Sequence, residues 1–262
     1  MTDLVLIKKI NEYIMEVSLN RPDKLNALTK PMWKKIGVTF RDFAKKKNKH
    51  LRCIIIRGSG GKSFSPGNDI GEFEKSRSSS KQAKKYGVFL HGALAAIQEC
   101  PVPTIALIEG LCVGGGFEIA ACCDLRICGS SSRFGVPIKR LGLTMAPREL
   151  QALLQLVGRS VTMEILLEGK IFNAKEAYEK GMVNRVVPDQ DVEQEAYATA
   201  ERICEGAPLV ARWHKAFAEQ LIPNIKITDK LNNLGYKCYD TEDFQIGYKS
   251  FLSKTKPKFK NK

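Results

Sequence analysis

Residues 108–124, Ile-Glu-Gly-Leu-Cys-Val-Gly-Gly-Gly-Phe-Glu-Ile-Ala-Ala-Cys-Cys-Asp, read as a strand end that turns through Gly114, Gly115 and Gly116 into a helix with an acid in its first turn. Consecutive glycines permit a sharp turn and let another group approach the backbone closely. The opening turn of the helix offers N–H groups without intrahelical partners and with positive dipole character, a setting suited to an oxyanion. Glu118 follows two residues after the last glycine. The same helix start favours its ionised form, and with it a general-base or water-holding role. No Lys-Ser or Lys-Thr follows as in a phosphate loop, and the spacing is not that of a dinucleotide turn. Taken alone, the segment reads equally well as a packing turn or as part of a reaction site.

A second segment favours the reaction site. Residues 51–70 form a buried apolar strand followed by a loop ending in Ser65-Pro66-Gly67-Asn68-Asp69-Ile70. That loop is a second platform of backbone donors.

Together the segments resemble the crotonase, or enoyl-CoA hydratase/isomerase, family over nearly the whole chain. Asn20 to Leu28 resembles its N-terminal CoA-wrapping segment, and Ser63 to Ile70 its Ala-Phe-x-x-Gly-x-Asp-Ile loop. Pro101 to Ala106, Phe134-Gly135-Val136-Pro137, Gly142-Leu143, Gly181 to Val187, and Phe251 with Lys256 to Phe259 follow in the family's order. The resemblance implies an α/β fold with a repeated ββα spiral core over residues 1–205. It also implies a helical segment over 206–262 for trimerisation, as a homotrimer or a dimer of trimers. The N–H groups of Asn68 and Gly115 are expected to form the oxyanion hole for a thioester carbonyl, with Glu118 as the catalytic carboxylate. Lys24, Leu25, Ala27, Gly67, Asp69, Ile70, Phe251 and Lys254 are expected to bind the CoA moiety. Coenzyme A enters as part of an acyl-CoA substrate, and no separate cofactor is expected.

The departure from the family pattern is Ile138. Hydratases of the family place a second glutamate there, in a Phe-Gly-x-Pro-Glu stretch, and isoleucine can neither give nor take a proton. Typical one-glutamate isomerases keep their carboxylate at this same position. The expectation is therefore a lyase, a hydratase or dehydratase, acting on a non-standard enoyl-CoA. An isomerase, a decarboxylase, or a catalytically weak or RNA-binding homologue are the alternatives. Ile138, His91 and Glu149 are candidates for the acyl pocket. For Glu149 and its neighbour Arg148, the plainer reading has both side chains outward on the first turn of the next helix. For His91, on the helical pattern from Lys81 to Glu99, it is a surface or packed histidine.

The 262 residues suffice for a full core, and strands alternate with helices to about residue 190. Apolar runs Cys53 to Ile56 and Thr104 to Ile108 fit strands; Lys81 to Glu99, Gly115 to Cys123 and Gln190 to Cys204 fit helices. The eight cysteines are dispersed and read as reduced core residues. His50 and His214 show no clustering of carboxylates or cysteines that would suggest a metal, so no metal site is expected. No leader pattern opens the chain, and its apolar stretches read as shorter than a membrane span, so the expectation is a cytoplasmic protein with no membrane partner. The net charge of +14 gathers at 45–49, 75–85 and 254–262. These lysines read mainly as solvated surface that can attract the phosphates of CoA. They lack interleaved aromatics for base stacking, so no nucleic acid is expected as a partner.

Overall fold

The structure, a computed structural model, describes residues 3–221, 229, 233 and 236–257. One sheet orders β1 (Val5–Lys9), β2 (Ile14–Leu19), β3 (Cys53–Gly58), β5 (Thr104–Ile108), β7 (Leu125–Gly129) and β10 (Arg185–Val187), with only the β1–β2 pair antiparallel. A smaller sheet orders β4 (Ser63–Ser65), β6 (Leu111–Val113), β8 (Arg133–Gly135) and β9 (Phe172–Asn173). The helices are α1 (Lys30–Phe43), α2 (Phe73–Ser76), α3 (Ser80–Gln98), α4 (Gly115–Ala121), α5 (Pro147–Glu168), α6 (Ala174–Glu179), α7 (Val192–Glu205), α8 (Pro208–Leu221) and α9 (Glu242–Leu252).

Three times the chain runs from the large sheet to the small sheet and then into helix: β3–β4–α2/α3, β5–β6–α4 and β7–β8–α5. Successive repeats add parallel strands to both sheets, giving the expected ββα spiral. The continuous apolar runs follow from burial on both strand faces. Ile54, Ile56, Ala106 and Ile108 enter the main core, whereas Cys53, Ile55, Ile105 and Leu107 meet Val192, Ala196 and Ala200 of α7 on the other face. Period-two alternation therefore serves two cores.

Ser79 caps α3 by accepting from the Gln82 N–H, and Tyr86, Leu90, Ala93, Leu94 and Ile97 form its buried stripe. Beyond residue 206, α8 leaves Leu209, Trp213 and Phe217 more than half exposed, while α9 buries Phe244 and Tyr248 with Phe73 and Tyr239. Lys258 and Phe259 of the tail motif lie outside the described residues.

Contrary to the sequence reading, α5 has the length and mean hydropathy of a membrane span. Gly158, at φ 68° and ψ 176°, breaks it into two shorter segments. Neither segment alone reaches the roughly 30 Å of a bilayer core at 1.5 Å per residue.

Candidate active site

The two glycine-containing loops abut. Gly67 has φ +100° and Gly114 has φ +53°, backbone regions that a side chain resists. A Cβ on Gly67 would stand 2.9 Å from the Gly115 nitrogen, so the contact itself demands glycine. Leu28 N–H donates to Gly67 O and Asp69 N–H to Leu28 O, each at 2.8 Å, clamping the Asn68 peptide between them. Trp33 Nε1 donates to Asn68 Oδ1 at 2.8 Å and fixes that side chain. Among the described residues, neither the Asn68 nor the Gly115 N–H has a backbone acceptor.

The N-terminal segment braces this loop. Arg21 Nη1 donates to Ala27 O at 2.7 Å and to Asp69 Oδ2 at 3.0 Å. The buried Asn26 side chain donates to Ser59 O and Ser63 O and accepts from Arg21 N–H.

A cavity of about 660 Å³ opens beside both loops. Asn68, Gly115, Glu118, Ile138 and Glu149 line it together, as do Ala27, Gly67, Asp69 and Ile70. Phe251 and Leu252, at the end of α9, form part of the rim. Lys24, Leu25 and Lys254 lie outside the lining. Leu25 is 40% exposed beside a smaller hollow, and Lys24 and Lys254 are exposed.

Glu149 overturns the outward reading: it is buried, whereas Arg148 beside it is exposed. Pro147 and Glu149 occupy the first and third positions of α5, and Glu149 Oε2 folds back to accept the Ala146 N–H at 3.1 Å. That half capping box turns the carboxylate towards the cavity. Its other oxygen, Oε1, lies 2.9 Å from His91 Nε2. His91 itself stands behind Glu149 and does not line the cavity, so its placement as a pocket residue is corrected to that of a support.

Glu118 carries a second correction. The pull of the short helix start is outweighed by burial. Burial, reinforced by the negative charge of Glu149, pushes its carboxyl well above the usual range, with Arg77 opposing. Its Oε2 is buried without a hydrogen-bond partner among the described residues. The cavity thus holds a carboxyl driven towards its neutral form beside another whose oxygens are both engaged. Ile138, Leu141 and Leu143 supply apolar lining to the same cavity.

Arg77 went unremarked in the sequence, inside a lysine- and serine-rich stretch read as solvated. It is 8% exposed, lines the cavity, and stacks on Phe73, Tyr86 and Tyr239 at 4.6, 4.9 and 5.4 Å from the ring centroids. Phe73 and Tyr86 flank it in the sequence, but Tyr239 is remote, so the cage is visible only in three dimensions. Among the described residues no group of three or more His, Cys, Asp or Glu is arranged to hold a metal ion.

Comparison with known proteins agrees with this geometry. A family profile described as Enoyl-CoA hydratase/isomerase matches residues 9–262. The chain is 32% identical to crotonyl-CoA hydratase of Syntrophomonas wolfei, over 98% of each chain. A solved enoyl-CoA hydratase/carnithine racemase from Magnetospirillum magneticum is 41% identical, with a TM-score of 0.82 and coverage of 100% of this chain and 97% of its own. A methylmalonyl-CoA decarboxylase structure is 28% identical, with a TM-score of 0.85 and full coverage of both chains. The ββα repeat, the paired glycine loops and these likenesses agree: the chain belongs to the enoyl-CoA hydratase/isomerase family.

Proposed function

We propose that the protein is an enoyl-CoA hydratase, or in reverse a dehydratase, whose second carboxylate is Glu149 in place of the usual residue at Ile138. The observation that carries this reading is that Glu118 and Glu149 face one cavity beside the donors of Asn68 and Gly115. The thioester oxygen accepts from those two N–H groups, which stabilise the negative charge it gains as attack at the β-carbon shifts the double-bond electrons into the enolate. Glu149 orients water and takes its proton as the oxygen attacks the β-carbon. Glu118, favoured in its protonated form, delivers a proton to the α-carbon. In dehydration each step runs backwards. Ile138 supplies a dry wall near the reacting carbons.

Coenzyme A enters as part of the substrate, passing the Ala27–Asp69 side of the cavity and the Phe251 rim. Lys24, Leu25 and Lys254 are assigned to the more distant CoA moiety outside the cavity lining. The exposed Leu209, Trp213 and Phe217 on α8 suit a homo-oligomer contact, in keeping with the trimeric assembly expected from the resemblance.

Incubation with a panel of enoyl-, hydroxyacyl- and malonyl-type CoA esters, read by mass spectrometry, tests the reaction. Gain or loss of one water is expected. Mass-neutral isomerisation alone, or loss of carbon dioxide alone, would overturn it.

A further inference from the structure

The acyl cavity contains a cation that the proposed hydration does not use. Arg77 is buried in its wall. Its Nη2 donates to the Tyr239 hydroxyl, but its Nε and Nη1 have no hydrogen-bond partner among the described residues. No carboxylate among the described residues lies within ion-pair distance; of the cavity's carboxyls, Glu149 acts on its charge at longer range. Three aromatic rings hold the guanidinium plane in place. Buried donors left unpaired are costly, so a side chain fixed in this way calls for an acceptor.

The surroundings say which acceptor. The apolar part of the cavity lining includes Ile70, Phe73, Leu141 and Leu143, and the two buried carboxyls of the same cavity, Glu118 and Glu149, make no hydrogen bond to Arg77. An all-hydrocarbon acyl chain would cover the guanidinium without satisfying it. Arg140, the other arginine at the cavity, is exposed and better placed to meet groups entering from solvent.

We infer that Arg77 selects acyl-CoA thioesters whose acyl chain carries a second carboxylate, which accepts hydrogen bonds from the unpaired guanidinium donors. A planar, permanently charged fork suits a carboxylate, and bonds of this kind are about twice as strong as neutral ones. The aromatic cage fixes the donors before the substrate arrives, which reduces the ordering cost of binding. This inference rests on the CoA-thioester reading of the cavity and deepens it by naming the substrate class. Arg77 is then a specificity-determining residue, while the proton transfers remain with Glu118 and Glu149.

The test compares glutaryl-CoA with valeryl-CoA, equal in chain length but ending in carboxylate and methyl. Isothermal titration calorimetry of the full chain should show glutaryl-CoA binding at least about tenfold more tightly, the scale expected for a charge-assisted hydrogen bond. In Arg77→Met the ratio of the two affinities should fall to about one. Damage to the fold or to the CoA site would lower both affinities together and leave the ratio unchanged. Equal affinities in the wild type, or a preference that survives Arg77→Met, would overturn the inference while leaving the hydratase reading standing. Binding of neither thioester by the wild type would overturn both. Equal wild-type affinities overturn the inference even if the variant does not fold.

Discussion

His91 Nε2 on α3 lies 2.9 Å from Glu149 Oε1 on α5, joining residues 58 apart in sequence behind the acyl cavity. The Ala146 N–H holds the other oxygen of the same carboxylate. Glu149 is thereby fixed from two sides, one within its own helix and one across the fold. Tyr236 in turn places its hydroxyl 3.5 Å from His91 Nδ1.

That contact makes His91 a positioning residue. His91→Leu removes the support and should lower kcat about tenfold, within the loss typical of a removed outer partner. KM should move much less, because the thioester's own contacts are intact. His91→Gln, whose amide can still donate to Glu149, should recover much of the rate. The loss should appear in kcat rather than KM in the leucine variant and be reversed in the glutamine variant. A merely structural histidine would instead change Tm and leave kcat in place.

Glu118→Gln and Glu149→Gln should each reduce kcat by about 10²–10⁴ on the true substrate, with thioester affinity within a few-fold. Because the two carboxylates serve a single proton-transfer sequence, the double variant should lose far less than the product of the single losses. Steady-state rates and product-analogue binding separate the two effects. Full activity in either single variant would remove that residue from the mechanism.

Gly67→Ala tests the contact between the two loops. The new methyl would have to occupy space 2.9 Å from the Gly115 nitrogen and 3.0 Å from the Val113 carbonyl oxygen, at a φ of +100°. Both oxyanion donors should be displaced, lowering kcat by about 10²–10³. Far-UV circular dichroism should remain native, since the strain is confined to the loop. An alanine variant with wild-type kcat would show that these N–H groups do not hold the thioester oxygen.

The repeated ββα core was legible because its signals are local: apolar runs for doubly buried strands, glycine turns, and helical stripes. The expected Lys81–Glu99 helix is shifted by one residue to Ser80–Gln98, and the expected Gln190–Cys204 helix begins instead at Val192. The meeting of the Asn68 and Gly115 loops at one cavity was legible because it rests on glycines and backbone, whose demands are local. The site was illegible wherever a side chain's direction decides its role. First-turn glutamates usually face solvent, and nothing adjacent to Glu149 announces His91 behind it. Arg77 was hidden for the same reason, since its cage draws on Tyr239, far along the chain. The effect of burial on Glu118 was illegible because the helix start is visible in sequence and the burial is not.

The raised carboxyl of Glu118 has a consequence for stability. An ordinary carboxyl in the unfolded chain titrates near 4.5, and the native value lies well above it. Between the two, the unfolded chain releases this proton while the native protein retains it or bears a buried charge. The contribution of Glu118 is therefore most favourable below the ordinary value and is lost as pH rises towards the native one. Glu118→Gln removes this liability. Its Tm should exceed that of the wild type at pH 7–8, and the difference should shrink as the pH is lowered to about 4.5. Thermal melts of both proteins across this range check the sign. A gap that widens on acidification would mean that Glu118 is held ionised in the native protein.

Ile138 and Glu149 together offer the most discriminating substitution. If Glu149 supplies the second carboxylate, Ile138→Glu alone should change crotonyl-CoA hydration little, because the role is already filled and a third acid joins a cavity that disfavours charge. In the Glu149→Gln background the same substitution should restore hydration by about 10-fold or more, since a carboxylate at 138 returns where the family's hydratases carry theirs. Progress curves at the enoyl-thioester absorbance give all four rates in one series. If Ile138→Glu strongly raises activity in the wild-type background, the cavity lacks a working second carboxylate and Glu149 is only a capping residue. If the double variant stays inactive while folded and able to bind a thioester, the geometry at 138 cannot serve, and Glu149 occupies a position that isoleucine was needed to accommodate.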